Sequence, residues 1–312
     1  MFKRMLKIPY KLVKVTERGF QVKEQNAKDN LEKVGSTFLD GYHFVINFPN
    51  NFTGKLESVP QQFRGFAYEG AAMALIIQDS ISMFKRSRFK HFLEGAGKHH
   101  NYMLHIGAGW AYAKFPLLFK KAFNKHDPLL KWLIVDGMGF YYGYFDWDKY
   151  INKKQLPRII KQNVNLSNVY FQGLGRSLWF VKGGDIYEIS KTVDSFEEKI
   201  RSDLWSGVGL GAAYAGPLNI ETLKNLKKIV GEYFPCLAQG IAFAATARYQ
   251  ANTPSANTEL VSLSICGMNS KALSELTAFA LEEASKVTNN LTVYDNWRNI
   301  IQAEFYMNGA GY

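Results

Sequence analysis

The stretch from Leu204 to Gly216 reads LWSGVGLGAAYAG, an apolar run in which glycine occupies every second position from Gly207 to Gly211. Glycine costs a helix interior about 1 kcal/mol relative to alanine, so its recurrence needs a packing reason. Side chains two residues apart point about 200° apart around a helix, so small residues at this spacing thin the helix on two sides. The stretch therefore predicts an inner helix that packs closely against one neighbour on each flank.

The same small-residue signature occurs in six copies along the chain. Neighbouring copies begin 30–37 residues apart, and periods of this length are typical of stacked helical hairpins. A second glycine or alanine follows two places after each first glycine, and a weaker copy begins at Gly41. The first glycines of the six copies are Gly70, Gly107, Gly137, Gly173, Gly207 and Gly240.

The repeats indicate an all-α protein. No segment shows the alternating pattern and hairpin turns of β-strands, so we expect repeated helical hairpins that form a solenoid or a closed α/α toroid. The repeat continues across the polar stretch 152–168, which favours a single domain over residues 1–312, with a basic amino-terminal extension at 1–35 and a loose tail at 306–312. Membrane helices use similar small-residue spacing, but polar residues interrupt every copy, and a spanning helix needs about 20 predominantly apolar residues.

Composition and charge limit the classes of partner and the cellular compartment that we expect. The formal net charge is +11, but the basic residues are dispersed and form no aromatic–basic nucleic-acid motif, so we expect no nucleic-acid partner. Two isolated cysteines, Cys236 and Cys266, give neither a disulfide framework nor a thiolate metal motif and fit a reducing compartment. Residues 1–15 are basic and mildly amphipathic without the apolar run of a signal peptide. We therefore expect a cytoplasmic protein whose amino terminus either packs on the domain or lies on a membrane surface.

Polar residues interrupt the apolar repeat helices at equivalent positions. Such a face could line a ligand pocket, because ligand sites are mostly apolar with a few convergent polar groups. The same groups could instead hydrogen-bond between neighbouring helices and fix their register, because buried polar groups need partners. The residues just before each first glycine are Glu69, Ile106, Asp136, Gln172, Ser206 and Gln239, and four places later stand Met73, Trp110, Phe140, Arg176, Leu210 and Phe243.

Three of these residues are the candidate catalytic groups: Glu69, Asp136 and Arg176. Arg176 either pairs with one of the two acids or binds an anionic group of a ligand. The candidate substrate-binding residues are aromatic and amide side chains, which at helical spacing also fit an ordinary core. They are Trp110, Phe140, Trp179, Trp205, Gln172 and Gln239.

Two histidines, His43 and His105, are candidate metal ligands together with Glu69 and Asp136. Imidazole and carboxylate groups suit iron, zinc, copper or manganese, and helix bundles build metal sites from converging helices. None of the four stands in a His-x-x-x-His or Glu-x-x-His spacing, so each histidine also fits a hydrogen-bonded core position. The sequence leaves the cofactor open, with one transition metal ion as the candidate.

Four segments carry a family resemblance: RGFAYEGAAMA at 64–74, HIGAGWA at 105–111, QGLGRSLWF at 172–180 and DLWSGVG at 203–209. They resemble the bacterial domain-of-unknown-function family 1702, over a range from Ile8 to about Phe305. The resemblance implies a place in biosynthetic gene sets for enediyne-type polyketides, beside a membrane protein and a repeat-containing partner. It supplies no catalytic residues.

From this resemblance and the polar–aromatic face we expect a specialised-metabolism protein. Its substrate would be a hydrophobic polyene or polyketide intermediate, bound in an inner-helix pocket for an oxidative or cyclising tailoring step. The alternative is a non-catalytic scaffold or intermediate-binding subunit of a membrane-associated biosynthetic complex, because helical repeats often serve as binding surfaces. Under both interpretations, a membrane protein from the same pathway is a candidate partner.

Overall fold

The computed structural model describes residues 6–82, 87–216 and 220–309, and within these ranges it contains helices and turns but no β-strand. The all-α prediction is confirmed. In the described ranges, nine long helices form the architecture: α1 Gln25–Asn47, α2 Gln61–Ile81, α3 Asn101–Lys114, α4 Lys131–Phe145, α5 Ser167–Val181, α6 Glu198–Ala215, α7 Phe234–Gln250, α8 Ser270–Lys286 and α9 Val293–Gly309.

Shorter helices occupy the connections. The α-helical ones are Val15–Arg18, Phe52–Glu57, Arg88–Glu94, Pro116–Ala122, Arg158–Lys161, Ile186–Asp194, Ile220–Val230 and Ala256–Val261. Short 3-10 turns lie at Tyr10–Val13, Lys98–His100, Phe123–Lys125, Val164–Leu166 and Gly231–Tyr233. Single π-helical turns lie at Asp148–Asn152 and Ser262–Cys266.

Each of the helices α1 to α6 packs on the next one in chain order, and glycine makes the contact. A Cβ added to Gly207 would overlap the Gln172 carbonyl oxygen of α5, and a Cβ added to Gly209 would overlap the Leu237 carbonyl oxygen of α7. The first glycine of a copy therefore faces the preceding helix, and the small residue two places later faces the following helix. The two-sided thinning predicted from the spacing is confirmed.

Within the row α1 to α7, neighbouring helices run in the same direction. The Tyr142 hydroxyl of α4 donates to the Ala113 carbonyl of α3 at 3.3 Å, so the last turns of both helices meet. The Arg248 guanidinium of α7 donates in the same way to the Tyr214 carbonyl of α6 at 2.8 Å. Each repeat is therefore one long helix followed by a returning connection, and the connection carries only shorter helices.

The chain ends differ from the sequence prediction in two places. α1 begins at Gln25 and buries Leu31 and Val34, so residues 25–35 belong to the first long helix and not to an extension. The preceding segment packs on the domain, since Val13 is buried against Gly35. At the other end α9 continues to Gly309, so residues 306–309 are helical where the sequence predicted a loose tail. Residues 1–5 and 310–312 lie outside the described ranges.

Contacts also join helices that are far apart in this row. Arg248 of α7 donates to the Gln62 carbonyl at the start of α2 at 2.7 Å, and Asn30 of α1 donates to the Ala215 carbonyl at the end of α6 at 2.7 Å. No helix in the described part of the chain combines the length and the apolar character that crossing a bilayer requires.

Candidate functional site

The polar residues that precede the repeat glycines form one buried network, called here the polar ladder: Glu69, Asp136, Gln172, Ser206 and Gln239. The Gln172 amide of α5 donates to Asp136 Oδ2 of α4 at 2.9 Å. The Ser206 hydroxyl of α6 donates to Gln239 Oε1 of α7 at 2.7 Å and lies 3.3 Å from Gln172 Oε1. Equivalent positions meet because each glycine contact sets neighbouring helices in the same register.

Arg176 links Glu69 to the rest of the polar ladder. Its Nη2 donates to Asp136 Oδ1 at 2.6 Å, and its Nη1 lies 3.9 Å from Glu69 Oε1. The guanidinium carbon is 4.4 Å from the centre of the Phe140 ring. All three charged side chains are buried. Of the two interpretations that the sequence allowed for Arg176, pairing with an acid is present in the structure.

Glu69 has the most unusual electrostatic setting in this network. Burial raises the pKa of its carboxyl group to about 7, the charge of Arg176 opposes that rise, and the neighbouring Asp136 adds to it. Glu69 Oε1 has no hydrogen-bond partner. A carboxyl group with a pKa near neutrality exists in both protonation states at physiological pH and can donate or accept a proton.

A cavity of about 40 Å³ lies beside Glu69, and residues from all six helices α1 to α6 line it. Its wall is largely aromatic, and the Phe38 and Trp110 rings stack there with centroids 4.2 Å apart. One water needs roughly 10–15 Å³ of such space, so the cavity has room for a few waters at most. The aromatic lining residues are Phe38, Phe66, Trp110, Phe140, Tyr144, Phe180 and Tyr214.

Four of the lining residues have a buried polar atom without a partner: Glu69 Oε1, Trp110 Nε1, Arg176 Nε and Tyr214 Oη. Buried polar atoms in folded proteins nearly always have a partner, so several such atoms around one cavity require an explanation. Water or an oxygen atom of a ligand would satisfy the three donors. Tyr214 was not predicted, although it closes the small-residue stretch that decides the fold.

The predicted substrate-binding residues lie in three different places. Trp110 and Phe140 line the cavity. Gln172 and Gln239 instead hydrogen-bond within the polar ladder. The remaining two tryptophans, Trp179 and Trp205, are fully buried outside the cavity lining, and the Trp179 indole donates to the Gly216 carbonyl at 3.3 Å.

The predicted four-residue metal site is not formed. His43 Nε2 accepts a hydrogen bond from the Ile8 amide at 3.3 Å. The His105 ring bonds through Nδ1 to the Asn101 carbonyl at 2.7 Å and packs near His126. Burial lowers the pKa of both candidate histidines. Because these rings and the acids lie in separate surroundings, no group of three or more His, Cys, Asp or Glu side chains in the described ranges could hold a metal ion.

A second arginine–carboxylate pair escaped the sequence analysis. Arg298 of α9 donates to Asp203 of α6 at 2.7 Å, and its Nε lies 3.4 Å from Gln239 Oε1. Tyr294, one turn before Arg298, accepts a hydrogen bond from the Gln172 amide at 3.1 Å. Asp203 stands three residues before Ser206 on the same helix face, and that spacing was the available signal.

Comparison with known proteins places the chain in a family without giving it an activity. No curated protein and no solved structure is significantly similar to it. The family model described as "Protein of unknown function (DUF1702)" matches residues 1–305. Because this match covers nearly the whole sequence, the chain belongs to the DUF1702 family.

Proposed function

We propose that this protein binds a hydrophobic polyene or polyketide intermediate between its inner helices and changes it by proton transfer at Glu69. The observation that carries the proposal is the Glu69 carboxyl group, which has a pKa of about 7 and an oxygen atom without a hydrogen-bond partner at an aromatic cavity. Acid–base isomerisation of a conjugated chain adds a proton at one carbon and removes a proton from another, so that the double bonds shift and the composition is unchanged. One carboxyl group that exists in both forms can perform both transfers.

The residues around Glu69 support this chemistry. Arg176 and Asp136 form an ion pair beside Glu69. The two charges are already oriented by the fold, so no solvent has to reorganise when a proton moves. The aromatic rings of the wall offer apolar, polarisable surfaces to a conjugated chain. In this arrangement Glu69 is the proposed catalytic residue, and Trp110 and Phe140 are the proposed substrate contacts. Burial raises the pKa of Glu69, Arg176 opposes that rise and Asp136 adds to it.

Substrate entry requires the cavity to widen, because about 40 Å³ does not hold a polyene chain. Val13 is the lining residue that comes from outside the long helices, on the turn Tyr10–Val13. This turn covers the cavity beside Gly35 of α1. Displacement of the amino-terminal segment would therefore open the cavity without separating any pair of glycine-packed helices.

The proposal extends to the arrangement of the helices. We infer that α1 to α7 close around the cavity as an α/α toroid and do not continue as an open solenoid. The contacts from α7 to α2 and from α1 to α6 support closure, because they join the two ends of the row. Six successive helices lining one cavity are also a property of a closed ring.

The family resemblance supplies the proposed setting. We place the protein in the cytoplasm, in an enediyne-type polyketide pathway, beside a membrane protein of the same gene set. The alternative function is a non-catalytic scaffold or intermediate-binding subunit of that membrane-associated complex. One observation favours the alternative: the side chains already fill most of the space between the inner helices.

Replacement of Glu69 by glutamine separates the two functions. Glutamine keeps the shape of the side chain and removes the titrating proton, so we expect E69Q to lower product formation in a producing strain by roughly 10²–10⁴-fold. The purified variant should still bind the conjugated fatty acid cis-parinaric acid, measured by the rise in its fluorescence. The exposed Glu94→Gln variant is the control and should leave both measurements unchanged.

Product formation at the wild-type level in the E69Q strain would overturn the proton-transfer proposal. Full activity together with co-purification of a pathway protein would establish the scaffold function. Absence of polyene binding by the wild-type protein would overturn the proposed cavity ligand, whatever the strain produces.

A further inference from the structure

An exposed apolar patch lies at the carboxyl ends of α2 and α3, and it is called here the Leu117 patch: Ile81, Phe115, Pro116, Leu117 and Leu118. These side chains border a shallow groove of about 360 Å³. Leu117 is 79% exposed, while Ile81 and Phe115 are 45% and 42% exposed. Adjacent exposed apolar side chains of this kind mark an interaction surface, whereas single ones do not.

The packing of the helix Pro116–Ala122 keeps the Leu117 patch facing solvent. Pro116 begins the helix Pro116–Ala122, and Phe119 anchors that helix in the core, where it is 4% exposed. The Phe119 ring packs on Tyr112 of α3 and on Phe123. Because one face of this short helix is fixed by Phe119, Leu117 is directed into solvent.

Lysines accompany the patch without any acid between them. Residues 114–125 read KFPLLFKKAFNK and contain four lysines and no aspartate or glutamate. Asp79, two residues before Ile81, is engaged by the Arg88 guanidinium and by the amides of Arg88 and Phe89. Asp127, two residues after Lys125, accepts from the amides of Leu129 and Leu130. The four lysines are all exposed: Lys114, Lys120, Lys121 and Lys125.

The structure assigns the Leu117 patch to the surface of an anionic lipid bilayer. Protruding apolar side chains enter the boundary between headgroups and acyl chains, while lysines at their base bind acidic headgroups. The long lysine side chains can lie along the apolar surface and still keep their ammonium groups among the headgroups. A bilayer fits this surface better than a protein does, because Leu117 projects where a protein partner would need a matching pocket.

The inference does not depend on the proposed chemistry, and vesicle binding tests it directly. Full-length protein should float with vesicles of phosphatidylcholine and phosphatidylglycerol but not with vesicles of phosphatidylcholine alone, and added salt should weaken binding. Each lysine near an anionic surface contributes about 1 kcal/mol, so K120Q/K121Q should lower binding about 30-fold. Leu117→Ser should lower it about tenfold.

Val164→Ser is the matched control, since Val164 is 76% exposed but lies outside the patch, on the turn Val164–Leu166. It should bind vesicles like the unchanged protein. All of these positions are exposed, so thermal unfolding should confirm that each variant folds. The inference is overturned if the wild-type protein does not bind the anionic vesicles, if L117S binds as well as V164S, or if Leu117 is needed only to retain a membrane protein from the pathway.

Discussion

The Arg176 and Arg298 guanidinium groups each pair with a buried carboxylate, Asp136 at 2.6 Å and Asp203 at 2.7 Å. Around Arg298 one carboxylate meets one guanidinium, and Gln239 accepts from the remaining Nε. Around Arg176 a second carboxylate, Glu69, lies 3.9 Å away, and the guanidinium Nε has no partner. The same fold therefore contains a matched ion pair and an ion pair with one acid in excess.

The difference between the two ion pairs shows which acid can exchange a proton. Burial raises the pKa of Asp203, but the charge and the hydrogen bond of Arg298 oppose that rise. Glu69 also sits opposite a guanidinium but gains no hydrogen bond from it, and its pKa reaches about 7. The matched pair fixes the position of α9 against α6, whereas the excess acid can exchange a proton at neutral pH.

The largest expected effect comes from breaking the matched pair. Arg298→Met leaves Asp203 buried and unpaired, so the free energy of unfolding should fall by about 3–5 kcal/mol. The double variant R298M/D203L removes both charges and should recover much of this loss. Urea denaturation measures both values, and a loss below about 1 kcal/mol in R298M would contradict the assigned role of the pair.

The next largest effect is the contribution of Glu69 to the pH dependence of stability. Its pKa is raised from 4.5 to about 7, so the folded state holds the proton more tightly than the unfolded state does. This contribution should therefore fall as pH rises from about 4.5 to 7, by an amount on the order of 3 kcal/mol that is complete above pH 7. His100 and His126, whose pKa values burial lowers to about 4, act in the opposite direction, but they titrate in both proteins and cancel when the wild type is compared with E69Q. E69Q should lack this fall and be the more stable protein above pH 7, in urea denaturation at successive pH values.

Asp203→Asn is the counterpart of that measurement. It removes the charge that faces Arg298, so it should destabilise the protein at neutral pH, opposite in sign to E69Q. Equal effects of the two substitutions would show that the two clusters do not differ in the way described above.

The smallest expected effect on stability comes from removing a tyrosine hydroxyl. It distinguishes a hydroxyl that is hydrogen-bonded from one that is not. Tyr294 Oη accepts a hydrogen bond from Gln172, so Tyr294→Phe should cost about 1 kcal/mol. Tyr214 Oη is buried without a partner, so Tyr214→Phe should cost nothing or stabilise the protein slightly. Thermal unfolding of both variants tests this order, and a larger cost for Y214F would mean that an ordered water or ligand occupies the cavity.

The repeat in the sequence predicted much of the polar ladder. The spacing of Gly207 and Gly209 predicted contacts on two flanks, because helix geometry fixes the directions of residues two apart. The position before each first glycine predicted a shared polar face, and Asp136, Gln172, Ser206 and Gln239 do join across four helices. Local periodicity was sufficient here because every repeat copies the same contact.

The repeat pattern did not predict the surroundings of the two candidate histidines. His43 and His105 belong to apolar helices, and nothing in their spacing shows which partner each ring meets. His43 meets the amino-terminal segment, and His105 bonds to its own helix near His126. The predicted metal site failed because each histidine lies off the polar face that the repeat makes common to Glu69 and Asp136.

The sequence by itself determined the helical class, the inner helices and the face that carries their polar residues, because these follow from periodicity within one segment. The tertiary structure decided which acid is paired and which is in excess. That outcome depends on α9, which brings Arg298 to Asp203 across 95 residues of chain. It also depends on a cavity that six helices close beside Glu69. The raised pKa of Glu69 is a property of that enclosure, since burial is its largest cause.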